Sequence, residues 1–185
     1  MKYIIETTNL LLRDFLDDDV HDYFAMDSLP VVHRYLGDSP LQSLEQAAII
    51  IKKVRKQYED YGIGRWTVIE KSTGKYVGWS GLKFVTETEN NHADYYDVGY
   101  RLHPDFWGKG YATESAQAAL QYGFTVLGAE SIAGSCHVEN TASKRVLEKC
   151  GLRYSNSYLW NNTIPCLWME ISRDEWLHAA NNKHS

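Results

Sequence analysis

No apolar run in this 185-residue sequence approaches the ~20 residues that a membrane-spanning helix needs. The first residues, Met1 to Glu6, meet an acid before a signal-peptide core can form. The expected location is therefore the cytosol, where the glycosylation-type triplet Asn161-Asn162-Thr163 would go unused. Cysteine is scarce: Cys136, Cys150 and Cys166 are odd in number and widely spaced, with no C-x-x-C. They read as buried, reduced thiols that pack as small hydrophobes. A basic excess is also missing, since the net charge is -5. Nucleic-acid binders need a basic face to displace phosphate counterions, so that class is excluded. The seven histidines show no metal-ligand spacing, so no metal is expected. Repeats, low-complexity stretches and linkers are absent too. One domain over residues 1–180 is expected, with a loose tail at 181–185.

What is present is a regular succession of elements. Asn9 to Phe15 predicts a strand and Asp17 to Met26 a short helix. Ser43-Leu44-Glu45-Gln46 has the form of a capping box. Behind it Ala47, Ile50, Ile51, Val54, Tyr58 and Tyr61 keep helical spacing. Arg65 to Glu70 and Tyr76 to Phe84 predict a hairpin around Lys71 to Lys75, with Gly78 and Gly81 permitting bends or close packing. After an acidic loop, Glu87 to Asp94, a strand runs from about Tyr95 to His103 and stops at Pro104. The rhythm then changes to helix (Gly110 to Phe124), strand (Glu130 to His137) and helix (Asn140 to Cys150, ended by Gly151). Two strands follow, about Leu152 to Trp160 and Pro165 to Ser172, and Asp174 to Ala180 adds a closing helical turn. The succession predicts an α/β domain with a mixed sheet and antiparallel flanks.

One loop carries chemistry. In Leu102 to Glu114 a strand ends at a proline, and a short loop with Gly108 and Gly110 opens a helix. Bare backbone N–H groups and the helix dipole then converge on one spot, which suits an anion. A Rossmann fingerprint would need a third glycine where Thr113 stands, and a Walker loop would not place Lys109 between its glycines. A plain glycine turn into a packed helix also fits the loop by itself.

The surroundings add a resemblance. Val98-Gly99-Tyr100-Arg101-Leu102-His103-Pro104 followed by Trp107-Gly108-Lys109-Gly110-Tyr111-Ala112-Thr113-Glu114 resembles motif A of the GCN5-related N-acetyltransferases (GNAT). Asn140 to Leu152 looks like that family's Asn-to-Gly helix, and Thr8 to Arg13 is similar to the start of its RimJ/RimL-like subgroup. The resemblance covers nearly the whole chain in order. It implies a V-split sheet of six to seven strands with about four helices, and acetyl-CoA as cosubstrate in the split between the fourth and fifth strands. Pantetheine would pair with backbone near Tyr100, Arg101 and Leu102, and pyrophosphate would take Trp107, Gly108, Lys109, Gly110, Tyr111 and Ala112, with Thr113 behind them. Trp107 replaces the family's Gln/Arg, where only backbone is needed. Asn140, Ser143 and Lys144 would meet the cofactor from the second helix.

Acetyl transfer to an amine needs deprotonation of an ammonium, stabilisation of an oxyanion and protonation of a thiolate. Asp97 stands where relatives carry a glutamate, as base or amine anchor. The family's usual acid, a tyrosine seven residues after Asn140, is replaced by Leu147; the resemblance to RimJ/RimL-like members, which offer a serine three residues after that Asn, implies Ser143 in its place. Asn140 is both helix cap and partner of the pantetheine amides. Cys136 and His137 are strand neighbours and face opposite sides. Gly78-Trp79-Ser80-Gly81 lacks a full nucleophile elbow. Trp79, Tyr95 and Tyr96 are candidates for an acceptor cleft, toward which Glu87, Glu89, Asp94 and Asp97 could draw a cation. The expected activity is acetyl-CoA-dependent acetylation of a primary amine, on a protein N-terminus or a small molecule, with a homodimer left open. The alternative is a non-catalytic acetyl-CoA sensor on the same fold.

Overall fold

In the computed structural model, residues 4–181 are described. The chain begins with β1 (Ile5–Glu6), β2 (Leu10–Arg13), α1 (Val20–Asp27), α2 (Pro30–His33) and α3 (Leu44–Tyr61). It continues with β3 (Arg65–Glu70), β4 (Tyr76–Val85), β5 (Tyr95–Leu102), α4 (Tyr111–Thr125) and β6 (Ser131–His137). The end is α5 (Thr141–Lys149), β7 (Arg153–Trp160), β8 (Ile164–Ser172) and α6 (Arg173–Asn181). Asn181 thus closes a helix instead of opening a tail, and residues 182–185 lie outside the described part.

The strands form one sheet in the order β1-β2-β3-β4-β5-β6-β8-β7. All neighbours are antiparallel except β5 and β6, because α4 carries the chain back across the sheet between them. The expected mixed α/β fold is present, with eight strands where six to seven were expected. The addition is β1, two residues that extend the edge through the pairs Ile5↔Leu12 and Glu6↔Leu11. Among the described residues there are six α-helices, not about four, because α2 is a single turn and α6 is longer than the closing turn expected. No helix among them is long and apolar enough to cross a membrane.

Two apolar clusters grip the two faces. Trp66, Val68, Leu82, Val98 and Leu102 pack with Ala116, Ala119, Leu120 and Phe124 of α4. On the other side Phe15, Tyr23, Ala47 and Ile51 gather around Trp79. Each large side chain buried in this way contributes about 1.5–3 kcal/mol. The Ser43 box is only half formed. Ser43 Oγ accepts from Gln46 N–H at 3.4 Å, but Gln46 Oε1 accepts from Gln42 N–H at 2.7 Å. The extended backbone at Ser43 (φ -155°, ψ 159°) brings the preceding N–H to that oxygen.

Candidate active site

The parallel pair β5/β6 is in register at two positions only, Tyr96↔Ile132 and Asp97↔Ala133. Beyond them β5 continues against β4, and β6 continues against β8. The sheet therefore divides from Val98 and Gly134 onward. An unpaired strand edge offers main-chain donors and acceptors to an extended ligand. The wedge between the edges is closed below by side chains: a Cβ at Gly134 would stand 3.0 Å from both Leu147 and Val98.

At the far end of the split lies the loop into α4. Gly108 and Gly110 have φ of +76° and +83°, and a Cβ at either would meet nothing within 4 Å. Gly110 fills the cap position of α4, and no side chain caps the helix. First-turn N–H groups lack an intrahelical partner, so this open end with its dipole suits an anionic group such as a pyrophosphate. Lys109 leans over the Phe106 ring, 4.7 Å from its centroid, with Nζ 3.6 Å from Glu70 Oε1. The Tyr111 hydroxyl donates to the same oxygen at 2.7 Å. Glu70 thus moors the loop to the end of β3. The Trp107 indole N–H donates to the Leu102 carbonyl at 2.8 Å, which removes one acceptor from the edge expected to meet pantetheine. Ala112 and Thr113 sit in the first turn of α4, where the Thr113 carbonyl is 3.9 Å from Cys150 Sγ.

On the α5 side of the split three groups meet. Asn140 caps α5 by accepting the Ser143 N–H at 3.0 Å. The Tyr100 hydroxyl reaches from β5 to Ser143, 3.0 Å from its carbonyl and 3.0 Å from its Oγ. Burial raises the Tyr100 pKa above its usual value, so the phenol keeps its proton. The Cys136 thiol lies within hydrogen-bonding reach of Ser143, and burial pushes its pKa up to about 11. Leu147, in the position of the missing tyrosine, is fully buried in the core. Lys144 points along α5, its Nζ 3.7 Å from Glu148 Oε1.

Asp97 faces the opposite side of the sheet, since side chains alternate along β5. Its carboxylate is ion-paired with the buried guanidinium of Arg65, which also donates to the carbonyls of Gly81 and Asp97. Arg65 reaches it across β4 and β5, and a Cβ on Gly99 would lie 2.6 Å from Arg65 Nη2. The Trp79 ring sits between two cations, 5.6 Å from Arg65 and 5.2 Å from Arg101. Arg101 Nη1 in turn donates to both oxygens of Asp27 at 2.7 Å, tying α1 to the sheet. His33 approaches Asp27 Oδ1 at 3.6 Å. Burial, with the Arg101 charge, holds the His33 pKa below its ordinary value despite Asp27, so the ring is neutral at pH 7.

The structure therefore gathers Tyr100, Asn140 and Ser143 on one face of the split and sets Asp97 on the other. The side chain of Arg101 belongs to the Asp97 face. Trp79 and Tyr95 lie on that face as well. Tyr96 does not: it packs on Phe84 at 5.2 Å and against the α4-side core, because it alternates with Tyr95. Cys136 and His137 do face apart, His137 lying 5.3 Å from Tyr35. Sequence reasoning passed over Arg65, Glu70 and the Tyr100 hydroxyl. Each acts across strands, and no local pattern marks it. No group of three or more His, Cys, Asp or Glu side chains converges on a metal-sized site among the described residues.

Residues 9–153 match the family model described as an acetyltransferase (GNAT) domain. An uncharacterized N-acetyltransferase of Bacillus subtilis, YoaA, is 30% identical over 165 residues, covering 88% of this chain and 91% of the relative. The GNAT-family acetyltransferase from Bacillus anthracis superposes with a TM-score of 0.76 at 26% identity, over 92% of this chain and 98% of the other. A spermidine N-acetyltransferase from Vibrio cholerae, solved in complex with CoA and spermine, shares the fold. Its TM-score is 0.73 at 19% identity, over 92% and 99% of the two chains.

Proposed function

Because the chain belongs to the GNAT acetyltransferases, we propose that it transfers the acetyl group of acetyl-CoA to a primary amine by direct attack in a ternary complex. The observation that carries this reading is the divided β5/β6 edge, with the uncapped α4 loop at one end and Ser143 and Asp97 on its two faces. CoA bound in the same fold in the Vibrio cholerae enzyme supports it. The start at Thr8 to Arg13, Leu147 and Ser143 favour the RimJ/RimL-like branch, and the acceptor is a protein N-terminus or a small amine.

Acetyl-CoA supplies the thioester that the amine attacks. The backbone of Trp107 to Ala112, with Lys109 and Thr113, would hold its pyrophosphate; the inner edge of β5 at Tyr100 to Leu102 and the Asn140 side would hold its pantetheine. Two neighbours set the proton work. Asp97, whose carboxylate is paired with the Arg65 guanidinium, serves as base or anchor for the incoming amine, with a bridging water carrying the ammonium proton. Ser143 Oγ–H stands on the thiol side and hydrogen-bonds the departing thiolate, whose pKa near 8.5 asks little of an acid. Direct attack is favoured because Cys136, the thiol beside Ser143, has a pKa of about 11 and stays a protonated, poor nucleophile at pH 7.

Incubation with acetyl-CoA and a panel of amines and N-terminal peptides tests the reading through release of free thiol. Turnover with at least one amine is expected. Tight CoA binding with no turnover of any acceptor would favour the sensor instead.

A further inference from the structure

We propose that the acceptor is a small aliphatic amine with a second positive charge, and that Glu89 holds this charge inside a box of aromatic rings made by His92, Tyr95, Tyr158 and Trp168. The proposal rests on the acetyltransfer reading and names the acceptor class for the Asp97 face of the same site.

The box is built by local structure. Glu89 N–H donates to the His92 carbonyl at 2.9 Å and His92 N–H returns to Glu89 at 2.8 Å. Asn90 and Asn91 between them have φ of +50° and +63°. Two central residues at positive φ make a type I′ turn, which asparagine tolerates best among residues with a side chain. Asn90 Nδ2 then donates to Asn156 Oδ1 at 2.9 Å and pins the turn to β7. Such a turn sets Glu89 and His92 opposite each other, and both reach the rings of β5, β7 and β8. The His92 ring stacks on Trp168 at 4.8 Å and 16°. Tyr95 and Tyr158 meet Trp168 edge-on at 5.1 and 5.7 Å. Trp168 is a floor, 2% exposed, while Glu89, His92, Tyr95 and Tyr158 are half-buried and within reach of a ligand.

Among the described residues no ion pair balances the Glu89 charge. Tyr158 donates to Glu89 Oε1 at 2.5 Å, and the Tyr95 hydroxyl lies within hydrogen-bonding reach of the same carboxylate. Hydroxyl donors fix a carboxylate in place but leave its charge intact. Of the nearby cations, Arg65 is committed to Asp97, and Lys83 stands opposite Asp97 in the register of β4 and β5. A half-buried carboxylate at the edge of this aromatic cluster favours an alkylammonium, through Coulomb attraction to Glu89 and contact of its methylenes with the rings. Glu87 and Asp94 of the same loop are exposed, which leaves Glu89 as its half-buried carboxylate. Tyr95 and Asp97 are two residues apart on one strand face, roughly 7 Å, a gap that a chain of four to six methylenes spans.

The test compares hexylamine, 1,6-diaminohexane and 6-aminohexanoate as acceptors at fixed acetyl-CoA. A kcat/KM about tenfold higher for the diamine than for hexylamine is expected, equivalent to ~1.4 kcal/mol, with 6-aminohexanoate lowest. That ratio should fall toward one in Glu89→Gln and in high salt, and the salt series on the unmodified protein stands even if the variant fails to fold. Without acetyl-CoA, 1,6-diaminohexane should change the intrinsic tryptophan fluorescence and hexylamine should not. Equal kcat/KM for the three amines, or a neutral peptide turned over in preference to the diamine, overturns this inference and leaves acetyl transfer standing. A fluorescence response to the diamine with no turnover of any amine supports the box and counts against acetyl transfer.

Discussion

At the scale of single residues, Tyr100 acts through Ser143. Its hydroxyl spans from β5 to the first turn of α5 and meets Ser143 at 3.0 Å, and burial keeps it protonated. In the proposed reaction it is a positioning residue: it holds the Ser143 hydroxyl at the split and does not itself touch the reacting atoms. Tyr100→Phe removes both contacts with Ser143; the one to Oγ bears on turnover and is worth about 0.5–1.5 kcal/mol, so kcat should fall roughly 2- to 10-fold with little change in KM for acetyl-CoA. In a Ser143→Ala background the same substitution should add almost nothing, since two residues in one hydrogen-bond network are non-additive. Full additivity in steady-state kinetics would separate Tyr100 from Ser143. The family resemblance marked Ser143, three residues after the cap Asn140, because a helix cap and the turn behind it form a local motif that a sequence can match. It left the Tyr100 hydroxyl unmarked, because only the sheet and α5 together bring the two residues within reach.

At the scale of elements, the entry to α4 was legible and its mooring was not. Two glycines after a proline-stopped strand predict an open helix N-terminus, and both glycines have positive φ. The link from Glu70 to Tyr111 and Lys109 joins elements about forty residues apart, beyond any spacing rule. The lane that Arg65 takes across Gly81 and Gly99 depends likewise on strand register. Ser43 shows how a correct local signal can still miss a partner: the helix starts there, but Gln46 serves Gln42. A substitution at Gly110 separates folding from binding. A Cβ at Gly110 meets nothing within 4 Å, so the main cost of Gly110→Val to stability is the left-handed backbone, at least about 1–2 kcal/mol for a β-branched residue. Its side chain would stand where the proposed pyrophosphate site lies, and on that proposal CoA affinity by calorimetry should fall at least about tenfold. An unchanged Kd in a folded variant would move the pyrophosphate away from this loop.

At the scale of the whole molecule, the divided sheet makes its two halves depend on ties other than β5/β6 pairing. The fold class followed from the alternation of elements, and the position of the split from the resemblance; periodicity marks strands but not where a pair parts. One tie in the first half was invisible in the sequence. Asp19 receives both guanidinium nitrogens of Arg13 at 2.7 Å, the Thr67 hydroxyl at 2.9 Å and the Leu16 N–H at 2.9 Å. It thereby joins β2 and β3 through the turn before α1. Burial by itself would raise the Asp19 pKa, but these hydrogen bonds and the Arg13 charge outweigh it and hold the pKa below the ordinary 3.8. A carboxyl whose folded pKa is depressed gives its full stabilisation above the unfolded value, and loses it as pH falls through the folded value. Asp19→Asn removes the charge that faces the buried Arg13 guanidinium and should cost about 3 kcal/mol at pH 7, read as a lower urea midpoint. The difference between the two proteins should hold from pH 7 down to about pH 5 and narrow below about pH 4, where Asp19 itself takes up a proton. A difference that stays constant to pH 3 would mean that shape and hydrogen bonding, not charge, hold this corner of the sheet.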